Sequence, residues 1–282
     1  MTPPRDLGWM EMAYGLAEKA RGRTSPNPLV GAVVVRDGTV VGHGYHAEPG
    51  QPHAEILALA MAGRRARGAT LYLTLEPCVH WGRTPPCVDT VLGAGLARIV
   101  VSAADPNPVV RGRGIRRLEE AGLDVSVGLL AERNAAINEA YAKYIVRKIP
   151  FVTLKAALTF DGKIACRTGD SKWITAAATR DYVHLLRGEQ DALMIGVGTL
   201  VVDDPLLTVR HPNWPAKTTI RPRSSVLSSR AAMGKRREGS RTARRTFLAG
   251  QFGWRTVRSG SSATSVPAPI MSASCSPRRR WT

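Results

Sequence analysis

Apolar residues along the first half of the chain change their spacing repeatedly, from intervals of three and four to alternation by two and back. A chain with that pattern buries its apolar surface most readily as a sheet with helices laid on its faces. Residues 6–21 place Trp9, Met10, Ala13, Leu16, Ala17 and Ala20 on one helical stripe. Residues 29–35 and 40–46 are β-rich runs on either side of Asp37-Gly38, a dipeptide suited to the positive φ of a tight hairpin. A helix is expected over 54–67, ending at Gly68, followed by a strand over 70–75 with Leu71, Leu73 and Leu75 on one face. Pro86 opens a helix that ends near Gly93, and strands over 98–103 and 124–128 flank a helix over 114–121. Strands joined by helices predict a largely parallel α/β sheet covered on both faces. A helix over 131–147 stops before Ile149-Pro150, because the residue preceding proline disfavours α geometry, and this sets a domain boundary near residue 148.

At 282 residues, two domains are expected. The second begins with a strand over 151–158, turns at Asp161-Gly162, and continues through a helix over 176–187 to a strand over 192–197. Composition then shifts. From residue 216 to 282 there are 15 basic residues against one acid, Glu238, a net charge of +14, whereas the preceding 215 residues carry only +4 of the overall +18. Twelve serines, arginine pairs and no sustained period in those 67 residues predict a tail that cannot bury enough apolar surface to offset its ordering entropy. No apolar stretch reaches the roughly 18 residues of a membrane span, and Met1 to Asp6 lacks the apolar core of a signal peptide, so a cytoplasmic protein without a membrane partner is expected. Four cysteines are too few for a disulfide-stapled fold of this length.

Chemistry concentrates in three short segments. His53-Ala54-Glu55 falls at the start of a helix, Glu76-Pro77-Cys78 follows directly on a strand, and Cys87 lies nine residues after Cys78. One imidazole and two sulfurs form a three-ligand set suited to Zn²⁺, one ion per chain, with the fourth tetrahedral position left open to water. Both cysteines are expected at helix N-termini, where partial positive charge favours the thiolate. In mid-helix, His53 and Glu55 would point about 200° apart, so the pair must sit at the helix mouth. There His53 can be a ligand and Glu55 the catalytic residue, moving a proton between water and a leaving group. Zinc lowers the pKa of water from about 15.7 to near 7, and hydrolysis at an sp² carbon bearing an amine follows. The His-x-Glu with Pro-Cys pattern is that of zinc deaminases, except that the second cysteine there usually follows three residues after the first. A purely structural zinc would require a fourth protein ligand, and none is evident.

Together with His80 and the run Gly82-Arg83-Thr84-Pro85-Pro86-Cys87, and with Asn27-Pro28 and Asp105-Pro106-Asn107-Pro108, these segments resemble the bifunctional deaminase-reductase of riboflavin biosynthesis over residues 5 to about 211. The resemblance implies a cytidine-deaminase-like three-layer α/β/α domain over 1–148 and a dihydrofolate-reductase-like α/β domain, incomplete here, over 149–215. The implied substrate is 2,5-diamino-6-(5-phosphoribosylamino)pyrimidin-4(3H)-one, a phosphoribosylaminopyrimidine, with Asn27 and His80 holding it. Val79 and Trp81 stand where the pattern often has Ser and a second His, leaving the ring contacts open. In the second domain the resemblance places Ala157, Trp173, Thr199 and Asp203 against NADPH, and Ser171, Arg187, Leu207 and Arg210 against the substrate, the two arginines suited to its phosphate.

The family's late glycine-rich phosphate loop has no counterpart after residue 215, and residues 216–282 look like a GC-rich gene translated out of frame. A frameshifted or truncated chain with little or no reductase output is therefore expected. Apolar surface left uncovered over 150–215 would favour a homo-oligomer. Two other readings remain open at this point. The basic tail could bind nucleic acid non-specifically through phosphates, though it lacks interleaved aromatics, and the deaminase could act on a free nucleoside or a tRNA base.

Overall fold

A computed structural model describes residues 4–82, 85–197, 199 and 204–211. The chain divides into two units between Val152 and Thr153.

The first unit is built on a five-stranded sheet of order β2-β1-β3-β4-β5. Its strands are β1 (Gly31–Arg36), β2 (Thr39–Tyr45), β3 (Thr70–Leu73), β4 (Arg98–Val101) and β5 (Asp124–Val127). The hairpin turns at Asp37 and Gly38, both at positive φ, as the Asp-Gly dipeptide predicts. Neighbours β3, β4 and β5 pair in parallel, whereas β1 is antiparallel to both its neighbours, β2 and β3, so the sheet is mixed rather than largely parallel. The cause is local: the two-residue hairpin reverses β1 against β2, whereas the helical crossovers after β2, β3 and β4 each return the chain in the direction of β2.

Alternation along each strand sorts the helices onto two faces. Ala32 and Val34, Leu71 and Leu73, and Ile99 and Val101 pack against α2 (Ala54–Ala62), α3 (Cys87–Gly93) and α4 (Arg113–Glu120). Val33 and Val35, Tyr72 and Val100 face the other way, onto Met10, Ala13, Tyr14 and Leu16 of α1 (Pro4–Glu18), with Ile137 of α5 (Ala131–Ile137) beside them. The result is the expected three-layer α/β/α arrangement.

Glycines set how closely two of these helices approach. A Cβ on Gly31 would lie 1.9 Å from the Ala13 carbonyl oxygen of α1. On Gly42 it would lie 2.1 Å from the Ala58 oxygen, and on Gly44 2.6 Å from the Ala54 oxygen, both in α2. The backbones of both helices therefore rest directly on the sheet. Polar ties complete the first unit. The buried Asp6 carboxylate accepts the Tyr72 hydroxyl at 2.6 Å and the Arg98 guanidinium at 2.9 Å.

Two helices are shorter than their periodicity predicts. The stretch 54–67 leaves α geometry at Gly63, which takes φ 53°, and finishes as a 3₁₀ turn over Gly63–Ala66. The stretch 131–147 breaks at Asn138 into α5 and α6 (Glu139–Arg147). The Asn138 amide is engaged elsewhere: its Oδ1 accepts from the Leu29 N–H at 2.7 Å and its Nδ2 donates to the Leu29 carbonyl at 3.1 Å.

The second unit contains α7 (Ala177–Gly188), where a helix over 176–187 is predicted. The predicted strands over 151–158 and 192–197 are not strands, because neither pairs with a partner among the described residues and an unpaired strand has no ladder to hold it. The tail predicted from residue 216 lies outside the described residues. Among those that are described, no helix is long and apolar enough to cross a membrane.

The glycine seats yield a direct test. Gly42→Ala forces the Ala58 carbonyl away from β2 and is expected to destabilise the first unit by about 1–3 kcal/mol. At about 2–4 °C per kcal/mol for a unit of this size, thermal unfolding followed by circular dichroism will show the fall.

Candidate active site

The functional side chains gather where the N-terminal ends of α2 and α3 meet the segment that leaves β3. His53 is the N-cap residue of α2 in extended conformation, and Glu55 lies in the first turn, which is the helix-mouth placement their spacing demands. Cys87 is the first residue of α3. Cys78 is not at a helix N-terminus: it lies in the irregular stretch between β3 and α3. The helix begins only at Cys87, after Pro86, yet its N-terminus still serves Cys78, since the Cys87 N–H donates to Cys78 Sγ at 3.4 Å and the Val88 N–H to the Cys78 carbonyl at 3.2 Å.

The ligand atoms of His53, Cys78 and Cys87 lie within 4.8 Å of one another, with Cys87 buried and the other two half-buried. His53 Nδ1 is 3.0 Å from Cys87 Sγ and 3.7 Å from Cys78 Sγ. Hydrogen bonding from the Cys87 thiol, and from His53, pulls the Cys78 thiol down to about 4, whereas sharing with Cys78 pushes Cys87 up. His53 is raised above the ordinary imidazole range by its hydrogen bond to Cys78; Cys87 is nearer, but Cys78 carries the charge. An imidazole and two sulfurs converging with one thiolate already favoured is a donor set that fits Zn²⁺, and it does not fit magnesium or calcium.

Glu55 is 3% exposed, and burial pushes its carboxyl above the usual carboxylate range, partly offset by the neighbouring His53. A raised carboxyl that is not one of the three converging donors is free to take and return a proton.

Asn27 and His80 flank this cluster from two loops. Asn27 Nδ2 donates to Nε2 of His46 at 3.0 Å, and His46 Nδ1 donates to the Pro52 carbonyl at 3.4 Å. Burial holds His46 below its usual range and so neutral, which matches this pattern of one donor and one acceptor. The His46 ring packs edge-on against that of His53, with centroids 5.2 Å apart. His80 follows Cys78 by two residues, and its buried Nδ1 has no hydrogen-bond partner among the described residues.

Several side chains that order this site have no role in the sequence reading. His46 ends a strand with no motif around it. Thr74 fixes the end of β3: its Oγ1 accepts the Gly31 N–H at 3.0 Å, while its carbonyl accepts the Asn134 amide. Asp105, raised by burial, accepts the Tyr141 hydroxyl at 2.9 Å and the Asn107 N–H at 2.8 Å. Glu76 lies within a recognised segment, but its four hydrogen bonds appear only in three dimensions.

The predicted reductase residues belong to the second unit. Arg187 donates to the Thr208 carbonyl at 3.0 Å, the Arg210 N–H donates to His184 Nδ1 at 3.3 Å, and Arg210 Nη1 reaches the Leu206 carbonyl at 2.8 Å. This brings Arg187, Leu207 and Arg210 to one place. Burial and the Arg210 charge push Arg187 down, and burial together with Arg187 does the same to Lys155, so the cluster is rich in positive charge. Ala157, Ser171 and Thr199 are half-buried on separate stretches, Trp173 is exposed with Arg180 stacked 4.2 Å above its ring, and Asp203 lies outside the described residues.

Comparison with known proteins agrees with this division. Residues 4–103 match the cytidine and deoxycytidylate deaminase zinc-binding region, and residues 150–248 match the RibD C-terminal domain. The second match runs past residue 215, so the likeness continues beyond the point where the sequence reading ends it. Riboflavin biosynthesis protein RibD of Aquifex aeolicus is 51% identical over 205 residues, covering 73% of this chain and 58% of that protein. Among solved structures, Acinetobacter baumannii RibD superposes with a TM-score of 0.71 at 42% identity, covering 76% of this chain and 60% of that one. A diaminohydroxyphosphoribosylaminopyrimidine deaminase/5-amino-6-(5-phosphoribosylamino)uracil reductase of Thermotoga maritima superposes with a TM-score of 0.70 at 44% identity, covering 74% and 60%. The chain thus spans less than two thirds of the length of these relatives. Within that span its two matched regions follow one another as they do in those proteins, and the chain belongs to the RibD family of riboflavin biosynthesis proteins.

Proposed function

We propose that residues 1–148 form a zinc-dependent deaminase in which His53, Cys78 and Cys87 hold the metal and Glu55 moves the proton. Its substrate is 2,5-diamino-6-(5-phosphoribosylamino)pyrimidin-4(3H)-one, which water converts to 5-amino-6-(5-phosphoribosylamino)uracil and ammonia. The observation that carries this reading is the convergence of the three donors within 4.8 Å beside a buried carboxyl that is not among them. Zinc bound there supplies the Lewis acidity that makes water nucleophilic near neutral pH. Glu55 accepts the proton of the attacking water and delivers it to the exocyclic amine, so that the C–O bond forms first and the bond from the ring carbon to that amine then breaks, releasing ammonia. Its desolvated position suits both halves of that transfer. Asn27, oriented through His46, and His80, with its unpartnered Nδ1, hold the pyrimidine and its substituents.

A second activity is read onto residues 149–215, where Arg187 and Arg210 would grip the substrate phosphate as charge-assisted forks while Ser171 and Leu207 bound the sugar. Ala157, Trp173, Thr199 and Asp203 would line NADPH for reduction of the ribosyl to the ribityl group. The match of residues 150–248 to the RibD C-terminal domain and the clustering of the two arginines favour this. Both steps belong in the cytoplasm, where a phosphorylated intermediate stays available to the second.

Glu55→Gln keeps the shape of the side chain but removes the proton acceptor. It should cut ammonia release from the diaminopyrimidine phosphate by roughly 10²–10⁴-fold with zinc content unchanged; undiminished turnover would take Glu55 out of the mechanism. Zinc uptake should also expel protons in a pH-dependent number. His53, raised above its ordinary range, and the Cys87 thiol, also raised, must each lose a proton to bind. Proton release per zinc is expected to fall as pH rises through the raised His53 range, and zinc to bind more weakly below it, in weakly buffered titrations.

A further inference from the structure

Glu76 lies just beyond β3 and is 4% exposed, yet it forms no salt bridge among the described residues. Its partners are backbone N–H groups. Oε2 accepts from Asp105 at 3.0 Å and from Gly112 at 2.8 Å; Oε1 accepts from Gly114 at 2.7 Å and from Ile115 at 3.2 Å. Four donors around one carboxylate fill its acceptor capacity. They come from two places, the loop after β4 and the first turn of α4, so one side chain ties both to the strand that leads into the metal-site segment.

α4 lacks a cap of its own: its N-cap residue is Gly112, at φ 77°, and no N-cap side chain bonds back. The Glu76 carboxylate supplies the acceptors from another element, which the unsatisfied N–H groups at any helix start require. In return, α4 is drawn onto the segment that carries Cys78. A Cβ added to Gly114 would stand 2.3 Å from the Pro77 carbonyl oxygen and 3.1 Å from Glu76 Cγ. The helix start therefore presses on the peptide that joins Glu76 to Cys78. Between β3 and α3 that segment has no ladder of its own; besides this clamp it is tied by the Thr74 N–H to Gly31 at 3.1 Å, the Glu76 N–H to Ala103 at 2.9 Å, and the two bonds from the α3 start to Cys78.

We propose that Glu76 is a positioning residue for Cys78: through its four backbone hydrogen bonds and the Gly114–Pro77 contact, it fixes where the Cys78 sulfur meets His53 and Cys87. The proposal deepens the reading of those three residues as metal ligands and rests on it. A role confined to capping α4 would leave metal binding by folded protein untouched, whereas a role in placing the sulfur changes it. Outer partners of ligands in metal sites commonly set affinity by 10–100-fold.

The test uses the full chain, as wild type and as Glu76→Gln, which keeps the shape but turns an NH₂ donor toward N–H groups. Zinc affinity is measured by competition with a chromophoric chelator, the thiolate-to-metal charge-transfer band after loading with Co²⁺ reports the sulfur placement, and circular dichroism shows that the protein is folded. Glu76→Gln is expected to bind zinc 10–100-fold more weakly, with a shifted or weakened cobalt band at wild-type fold content. Affinity and band equal to wild type would overturn the proposal. If Glu76→Gln does not fold, Gly114→Ala decides: it keeps the carboxylate and displaces the Pro77 carbonyl, so an altered cobalt band supports the proposal and an unaltered one overturns it. Wild-type protein that takes up no zinc would remove the metal-site reading, and this proposal with it.

Discussion

Two sulfurs and an imidazole can share one ion only if chain segments far apart in sequence end within a few ångströms of each other, and the first unit is arranged around that demand. His53 is carried by the start of α2, Cys87 by the start of α3 and Cys78 by the irregular segment between β3 and α3. The depth at which α2 sits is set by Gly42 and Gly44, whose missing side chains let the helix backbone touch β2. A helix raised by even one methyl group would lift His53 and Glu55 together. The same close approach buries Glu55, and the burial raises its carboxyl above the usual carboxylate range. Packing and acid–base chemistry are therefore linked through the same first turn of helix.

The chemistry of the site was more legible than its support. His53, Glu55, Cys78 and Cys87 announce themselves because few roles need a histidine, a carboxyl and two cysteines in that order on a strand-and-helix frame, and the structure brings all four together. The helix-mouth position of His53 and Glu55 followed from angular spacing alone. By contrast, Cys78 is expected at a helix start, yet the helix opens only at Pro86-Cys87, as the proline signals, and Cys78 lies in the irregular segment before it. His46, Asn134, Asn138 and Glu76 do their ordering through contacts across 19 to 109 residues of sequence separation, which no local period records.

Much the same distinction separates elements from topology. Alternation in β3 and the stripe of α1 were visible because burial imposes a period. Strand direction was less so: helical crossovers suggested a parallel sheet, yet the Asp37-Gly38 hairpin makes β1 and β2 antiparallel and leaves β1 antiparallel to β3 as well. In the second unit, apolar runs over 151–158 and 192–197 have strand composition, but composition without a partner strand does not make a ladder. The arginine pair there was legible from its resemblance to a family, and His184, which receives the Arg210 N–H, was not.

The central claim concerns atoms around a metal, and X-ray absorption at the zinc edge of the purified full chain addresses them without assuming any reaction. The account predicts two sulfur neighbours at about 2.3 Å and two nitrogen or oxygen neighbours near 2.0–2.1 Å, one of them imidazole. A zinc shell without sulfur, a shell completed by a third or fourth sulfur, or protein that retains no zinc would contradict it.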